Sequence, residues 1–198
     1  MKLIENIKKE VVDLFPEKVG KLSGTYCTRG WIFPNHLNPM IDIAKELCLK
    51  YGGDVHICEI ACLLHDTGLV YNRKSDNPLG HESNSLEFAK RILEKHKVEE
   101  NKIDLILDCI KATEVDYEPT NINEKIVRTA DILSQYYSIH FFAKAHFYPT
   151  WEMYLNFLEK KVNKGFNKIC FEDERDKVKP IYFYLQTILA KYKKYNLN

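Results

Sequence analysis

The chain has 198 residues, room for one domain or for one domain with a helical extension. Its 29 basic and 28 acidic residues leave a formal charge of +1, which excludes a whole-molecule pull toward nucleic acid or a membrane surface but not a small phosphate-binding patch. At 45% hydrophobic it has the composition of a globular protein with a buried core. No stretch approaches the roughly 20 apolar residues of a membrane span.

The first element is a helix with Ile4, Ile7, Val11 and Leu14 on one stripe, ending near Pro16. Glu5, Lys8, Lys9 and Glu10 interrupt it, so it has no secretory h-region, and the expected compartment is the cytoplasm. The chain then reads as irregular to about Pro34, through Gly20, Gly24 and Gly30. A helix is predicted from near His36 to Lys50, closed by Gly52 and Gly53. Asp54 is the expected N-cap of the next helix, whose body Ile57 to Leu64 is apolar nearly all round and belongs at the centre of the fold.

Thr67 to Gly80 reads as a polar loop. Helices follow over about His81 to His96 (inner face Leu86, Ala89, Ile92, Leu93), through Ile103, Ile106, Leu107 and Ile110, and over Asn121 to Tyr137 (inner face Ile126, Thr129, Ala130, Leu133). Two more are expected at about Thr150 to Asn163 and Arg175 to Tyr195, with Pro180 near the start of the last. Gly165 to Glu174 reads as a connector, with Lys168 to Phe171 briefly extended. There is no βαβ alternation, and the fold class is all-α. None of the six cysteines forms a CxxC pair, and Cys58 and Cys62 are expected as buried thiols on one helix face.

The chemistry is carried by His36, the adjacent His65 and Asp66, and Asp131 in the string TADILS. Asp66 follows a buried apolar helix at its C-terminus. The helix dipole disfavours a carboxylate there by a few tenths to about 1 kcal/mol, and burial adds a desolvation cost. Asp131 is flanked by Ala130 and Ile132 in an otherwise apolar helix. A divalent cation removes these penalties. Two imidazoles and two carboxylates suit Mn²⁺, Fe²⁺, Co²⁺, Ni²⁺ or Zn²⁺, and Mg²⁺ less well. Neighbouring helix positions differ by about 100°, so His65 and Asp66 can share an ion only where the helix ends, and Thr67-Gly68 supplies that exit. Taken singly, His36 reads as a cap, His65 as a core histidine and Asp131 as the partner of Arg128; together they read as a site.

The ordered set His36, His65-Asp66 and Asp131, with LLHDTG at 63–68, GHE at 80–82 and TADILS at 129–134, resembles the HD-domain superfamily of metal-dependent phosphohydrolases. The resemblance covers roughly residues 30 to 140. It implies a bundle of about five core helices around the metal, within a chain that reads from its periodicity as one all-helical domain over 1–198 with a C-terminal extension over about 141–198. It implies one divalent ion on His36, His65, Asp66 and Asp131. In relatives with two ions the GHE histidine, here His81, serves the second, but the next helix carries Thr113 and Glu114 where a histidine is expected. A second ion would need His81 and Glu114.

The implied reaction is hydrolysis of a small phosphorylated substrate, a phosphomonoester or a nucleotide, by metal-activated water. Asp66, His65, Glu82 and Lys111 are the expected catalytic residues, with Glu114 an alternative acid. Arg73, Lys74, His81 and Arg128 are the expected substrate contacts. His56, His96, His140 and His146 receive structural assignments. Alternatives are a nucleotide-binding regulatory module without turnover and, further off, a di-iron oxygenase. The extension over 141–198 either caps the metal pocket or forms a homodimer interface. No membrane or nucleic-acid partner is expected, and no Gly-rich phosphate loop is present.

Overall fold

The structure, a computed structural model, describes residues 2–17, 28–70, 81–114 and 116–196; the side chains at 81–83, 146–147 and 195–196 also fall outside the description. Among the described residues every regular element is helical, as the sequence predicts. Helix α1, Lys2–Leu14, buries Ile4, Ile7 and Val11, and Phe15 continues the stripe into the core. No helix among the described residues is long and apolar enough to cross a membrane.

The expected irregular stretch to Pro34 is corrected in its last part. Arg29–Ile32 is helical (α2), and Phe33–Leu37 forms a π turn that leads directly into α3, Asn38–Tyr51. Gly30 misleads here, because a helical glycine costs only about 1 kcal/mol and the burial of Ile32 and Phe33 offsets it. The π turn has a local cause. Pro34 and Pro39 each remove a main-chain donor, and the Asn38 N–H bonds back to the Phe33 carbonyl, one residue beyond the α register. The Asn35 side chain donates to the Trp31 carbonyl at 2.8 Å.

Gly52 closes α3 in the left-handed conformation at φ 84°. Asp54 then caps α4, Val55–Leu64, accepting from the N–H groups of His56 and Ile57. Gly53 sits where the α3–α4 turn meets α7, Ile122–Tyr136. A Cβ at Gly53 would lie 2.4 Å from Ile126 Cδ1 and 3.1 Å from Asn123 Oδ1, and that oxygen accepts from the Asp54 N–H.

After α4, Thr67–Val70 forms one 3-10 turn rather than open loop; the rest of the expected polar loop, 71–80, lies outside the described residues. Helix α5, His81–Lys95, and helix α6, Glu100–Lys111, follow with Ala89, Ile92, Leu93, Ile103, Ile106 and Ile110 buried. The cysteines Cys48, Cys58, Cys62 and Cys109 are buried and free. Burial pushes the Cys109 thiol up to about 12 and raises Cys62 well above the ordinary range, so both are neutral packing groups.

Helix α7 organises the rest. Its Asn121 N-cap accepts from the Glu124 N–H, and the buried Glu124 carboxylate accepts from the Thr120 N–H at 2.7 Å. Ile126, Val127 and Ala130 face a first core with α1, α3, α4 and α6. Ile132, Leu133 and Tyr136 face a second core with the C-terminal helices. These are α8, His140–Ala143, α9, Trp151–Lys168, and α10, Glu172–Asn196.

The expected connector Gly165 to Glu174 is also corrected. Helix α9 runs to Lys168 with Gly165 packed toward Ile132 and Tyr136, and only 169–171 separates it from α10. Pro180 therefore lies inside α10 rather than in its first turn. The start of α10 is anchored on the end of α3, where Lys50 pairs with Asp173 and Glu174 and the Tyr51 ring stacks on Phe171 at 3.8 Å.

Replacing Gly53 with alanine is expected to destabilise the fold by roughly 1–3 kcal/mol through overpacking against the buried Ile126, read as a lower midpoint in urea unfolding at unchanged slope.

Candidate metal centre

Three helical segments deliver four side chains to one point. The π turn carries His36, the C-terminus of α4 carries His65 with Asp66 just beyond it, and the body of α7 carries Asp131. His36 Nε2 lies 3.1 Å from His65 Nε2. Asp66 Oδ2 stands 3.4 Å from His36 Nε2 and 3.5 Å from His65 Nε2. Asp131 Oδ1 stands 3.4 and 3.9 Å from the same two nitrogens. His36, His65 and Asp131 thus bring one ligand atom each within 4.8 Å of one another, and Asp66 joins them through Oδ2.

The surrounding hydrogen bonds fix the tautomers. Ser134 Oγ donates to the Asp131 carbonyl at 2.7 Å, so its lone pair accepts from His36 Nδ1–H at 2.9 Å. The Cys62 carbonyl can only accept, and it takes His65 Nδ1–H at 2.9 Å. In the neutral rings so oriented both Nε2 atoms present lone pairs, and they face each other at 3.1 Å inside the protein. Two carboxylate oxygens stand beside them. Such a donor set repels itself unless a positive charge lies between its members.

A divalent cation fits this arrangement. Bonds of roughly 2.0–2.2 Å to nitrogen and oxygen keep neighbouring donors roughly 3–3.5 Å apart, the spacing of His36 to His65, Asp66 and Asp131 and of His65 to Asp66, with the His65–Asp131 pair wider at 3.9 Å. The Nδ1 hydrogen bonds orient the rings as outer-shell partners of metal ligands do. The Gln135 amide holds Asp131 Oδ1 at 3.1 Å in the same manner. The imidazole side chains are 3% and 4% exposed and the carboxylates 11% and 16%, so the carboxylates are the more exposed members of the cluster.

Sequence reasoning missed two contributors. Ser134 lies one turn after Asp131 in TADILS, a spacing that places both on one helix face. His140 was assigned to packing, yet its buried ring lies 5.5 Å from both His36 and Trp31. Burial, then the charge of Lys144, pushes its imidazole far below the ordinary range. The other assigned histidines behave as read where described: His96 bonds Glu10 at 2.8 Å, and His56 is exposed.

Two expected cations are not brought to the cluster. Arg128 is buried, with Nε donating to the Ala112 carbonyl at 2.6 Å and a terminal nitrogen donating to the carbonyls of Glu114 and Tyr117. It braces the α6–α7 connection, its hydrogen bonds going to these carbonyls and not to Asp131. Lys111 is half-exposed and pairs with Asp108 at 2.8 Å, which raises its pKa. The Glu114 carbonyl accepts from Arg128 and Lys168. His81 and Glu82 open α5, but their side chains, like all of Arg73 and Lys74, lie outside the described residues. Ser85, one turn into α5, accepts from the Gly68 N–H at 2.9 Å and braces the chain where it leaves Asp66.

A family model for the HD domain matches residues 35–136, just over half of the chain. The chain belongs to the HD-domain family. No curated protein and no solved structure matches it. The matched span begins one residue before His36 and ends with α7, so it contains all four clustered side chains. HD-domain proteins are generally metal-dependent hydrolases, and the cluster has the donors that such an activity requires. His140 and the rest of α8 to α10 lie beyond the match.

Asp131→Asn and His36→Ala are expected to lose bound metal by mass spectrometric metal analysis. They should also lose the several-degree rise in Tm that saturating Mn²⁺, Co²⁺ or Zn²⁺ gives the parent protein. Arg128→Met is expected to behave oppositely: stability falls by roughly 2–4 kcal/mol in denaturant titration while metal stoichiometry is retained.

Proposed function

We propose that this HD-domain protein hydrolyses a phosphomonoester or a nucleotide phosphate with water activated at the centre of His36, His65, Asp66 and Asp131. The observation that supports this reading is the pair of pinned imidazoles whose Nε2 atoms meet beside two carboxylates, the carboxylates being the more exposed members of the cluster. One divalent ion (Mn²⁺, Fe²⁺, Co²⁺, Ni²⁺ or Zn²⁺, with Mg²⁺ less suited) matches that donor set. When bound, such an ion lowers the pKa of water from about 15.7 toward about 7 and polarises a phosphoryl oxygen.

The protein's own part is positioning and proton transfer. Ser134 and the Cys62 carbonyl keep His36 and His65 in the tautomer that offers Nε2. Gln135 keeps Asp131 turned inward. Asp66 is less buried than the imidazoles and stands near both, which makes it the group that orients the attacking water and takes its proton. Glu82, or Glu114 in its place, protonates the leaving group, and His81 contacts the substrate. A second ion, if bound, falls to His81 and Glu114. Lys111 and Arg128 are occupied elsewhere, so the cations that receive the phosphoryl oxygens come from other segments.

A purified-protein screen of phosphomonoesters and nucleotides against these metals is expected to find turnover that depends on the added ion. Asp66→Asn should lower kcat by at least about a hundredfold with substrate affinity little changed, since it removes the base. Full activity in both Asp66→Asn and His65→Ala would end the proposal. Tight nucleotide binding without hydrolysis in the metal-loaded protein would point instead to a regulatory module.

A further inference from the structure

His36 sits on the π turn, where Pro34 and Pro39 remove main-chain donors and the regular α ladder is broken. The backbone there is held less firmly by its own hydrogen bonds than in α4 or α7, so packing from elsewhere must make up the difference. Ser134 fixes His36 Nδ1 at 2.9 Å, yet one hydrogen bond leaves a ring free to tilt about the bonded atom. A nitrogen that must meet an ion at about 2.0–2.1 Å needs a second restraint.

A ring from beyond the family match supplies it. His140, the first residue of α8, lies 5.5 Å from the His36 ring with the planes at 53°, and 5.5 Å from the Trp31 ring of α2 with the planes at 55°. Both distances fall within the roughly 4.5–7 Å of packed aromatic pairs. One side chain thus meets both the short helix and the imidazole of the turn that follows it. His140 is 2% exposed, so its ring cannot move off without disturbing close-packed neighbours.

The extension in turn holds His140. Its N–H donates to Ser138 Oγ at 3.1 Å. The Phe141 ring stands edge-on to His140 at 5.9 Å and to Tyr136 at 5.3 Å. The Phe141 carbonyl accepts from the Tyr154 hydroxyl of α9 at 3.0 Å. Contacts therefore run from α9 through α8 to a clustered imidazole, by way of Tyr154, Phe141, His140 and His36.

We propose that His140 is a positioning residue of the metal centre: its ring, set by α8 and α9, fixes the orientation of His36 and so raises the affinity for the ion. The contact is ring against ring, so an aromatic ring without nitrogen serves in its place. The inference rests on the reading of the cluster as a metal centre and deepens it, by giving a segment outside the HD-domain match a share in holding the ion.

The test is titration of the metal-stripped full chain with Co²⁺, followed by calorimetry and by the visible absorption of the bound ion, which reports its ligand geometry. H140A is expected to weaken Co²⁺ binding about tenfold, as loss of a group that orients a metal ligand does, and to alter the absorption band. H140F, which restores a ring, should recover the parent's affinity and band. Y154F removes only the hydrogen bond to Phe141 and is expected to weaken binding about threefold. Y136F removes a comparable bond, to the Val162 carbonyl, in the same core. It should lose similar stability in urea unfolding and keep the parent's Co²⁺ affinity. Parent-like affinity in H140A, or equal losses in Y154F and Y136F, overturns the proposal. So does an H140F as weak as H140A, because a ring nitrogen would then be what matters. Should H140A fail to fold, H140F and the two tyrosine variants decide the matter. A parent protein that takes up no Co²⁺ instead removes the metal-centre reading itself, whatever the variants do.

Discussion

Two histidine nitrogens that cannot point anywhere else define this molecule. His36 and His65 are buried, each has its Nδ1 committed to a fixed acceptor, and each is left with an Nε2 lone pair aimed at the other across 3.1 Å. Rotating either ring by half a turn would break a buried hydrogen bond and leave a polar atom without its partner, at a cost of about 1–3 kcal/mol. Without positive charge between them, the two nitrogens and the carboxylates of Asp66 and Asp131 are four acceptors in one place. The surrounding structure holds that arrangement against its own repulsion: the π turn sets His36, the end of α4 sets His65 and Asp66, and α7 sets Asp131.

Helix α7 can carry a carboxylate in its middle because it is packed on both flanks. Ile126, Val127 and Ala130 belong to one core, Ile132, Leu133 and Tyr136 to the other, and Asp131 emerges between them. The C-terminal helices are thus part of what immobilises the centre. Tyr136 donates to the Val162 carbonyl at 2.7 Å, and Tyr154 donates to the Phe141 carbonyl at 3.0 Å, so α9 is tied to α7 and to the segment that bears His140. At the other end of the molecule, Lys50 and Tyr51 bond the start of α10 to the end of α3. The second core closes over the first along a single helix.

Much of this was legible in the residues themselves, where local chemistry decides the outcome. Gly52 as a left-handed cap, Asp54 and Asn121 as N-caps and the inner faces of α5, α6 and α7 all follow from short-range rules. The four clustered side chains stood out because an acidic group in an apolar helix needs an explanation. Other features turned on neighbours far away in the chain. Gly30 and Gly165 sit inside helices because tertiary packing outweighs a weak local penalty. Arg128 and Lys111 carry the charge a phosphate needs, but side-chain direction decided their use: one meets three carbonyls of the α6–α7 connection, the other its neighbour Asp108. His140 belonged to no string that sets it apart, and only the fold of α8 against the π turn places it beside His36.

That division between local and long-range information parallels a division of labour in the chemistry. The four clustered donor side chains lie wholly within residues 35–136. The helices beyond that span act on the centre through packing: they supply the second core under α7 and set the His140 ring against His36. A net charge near zero supplies no long-range attraction for an anion, so any anion that reaches this centre must be held by contacts at short range.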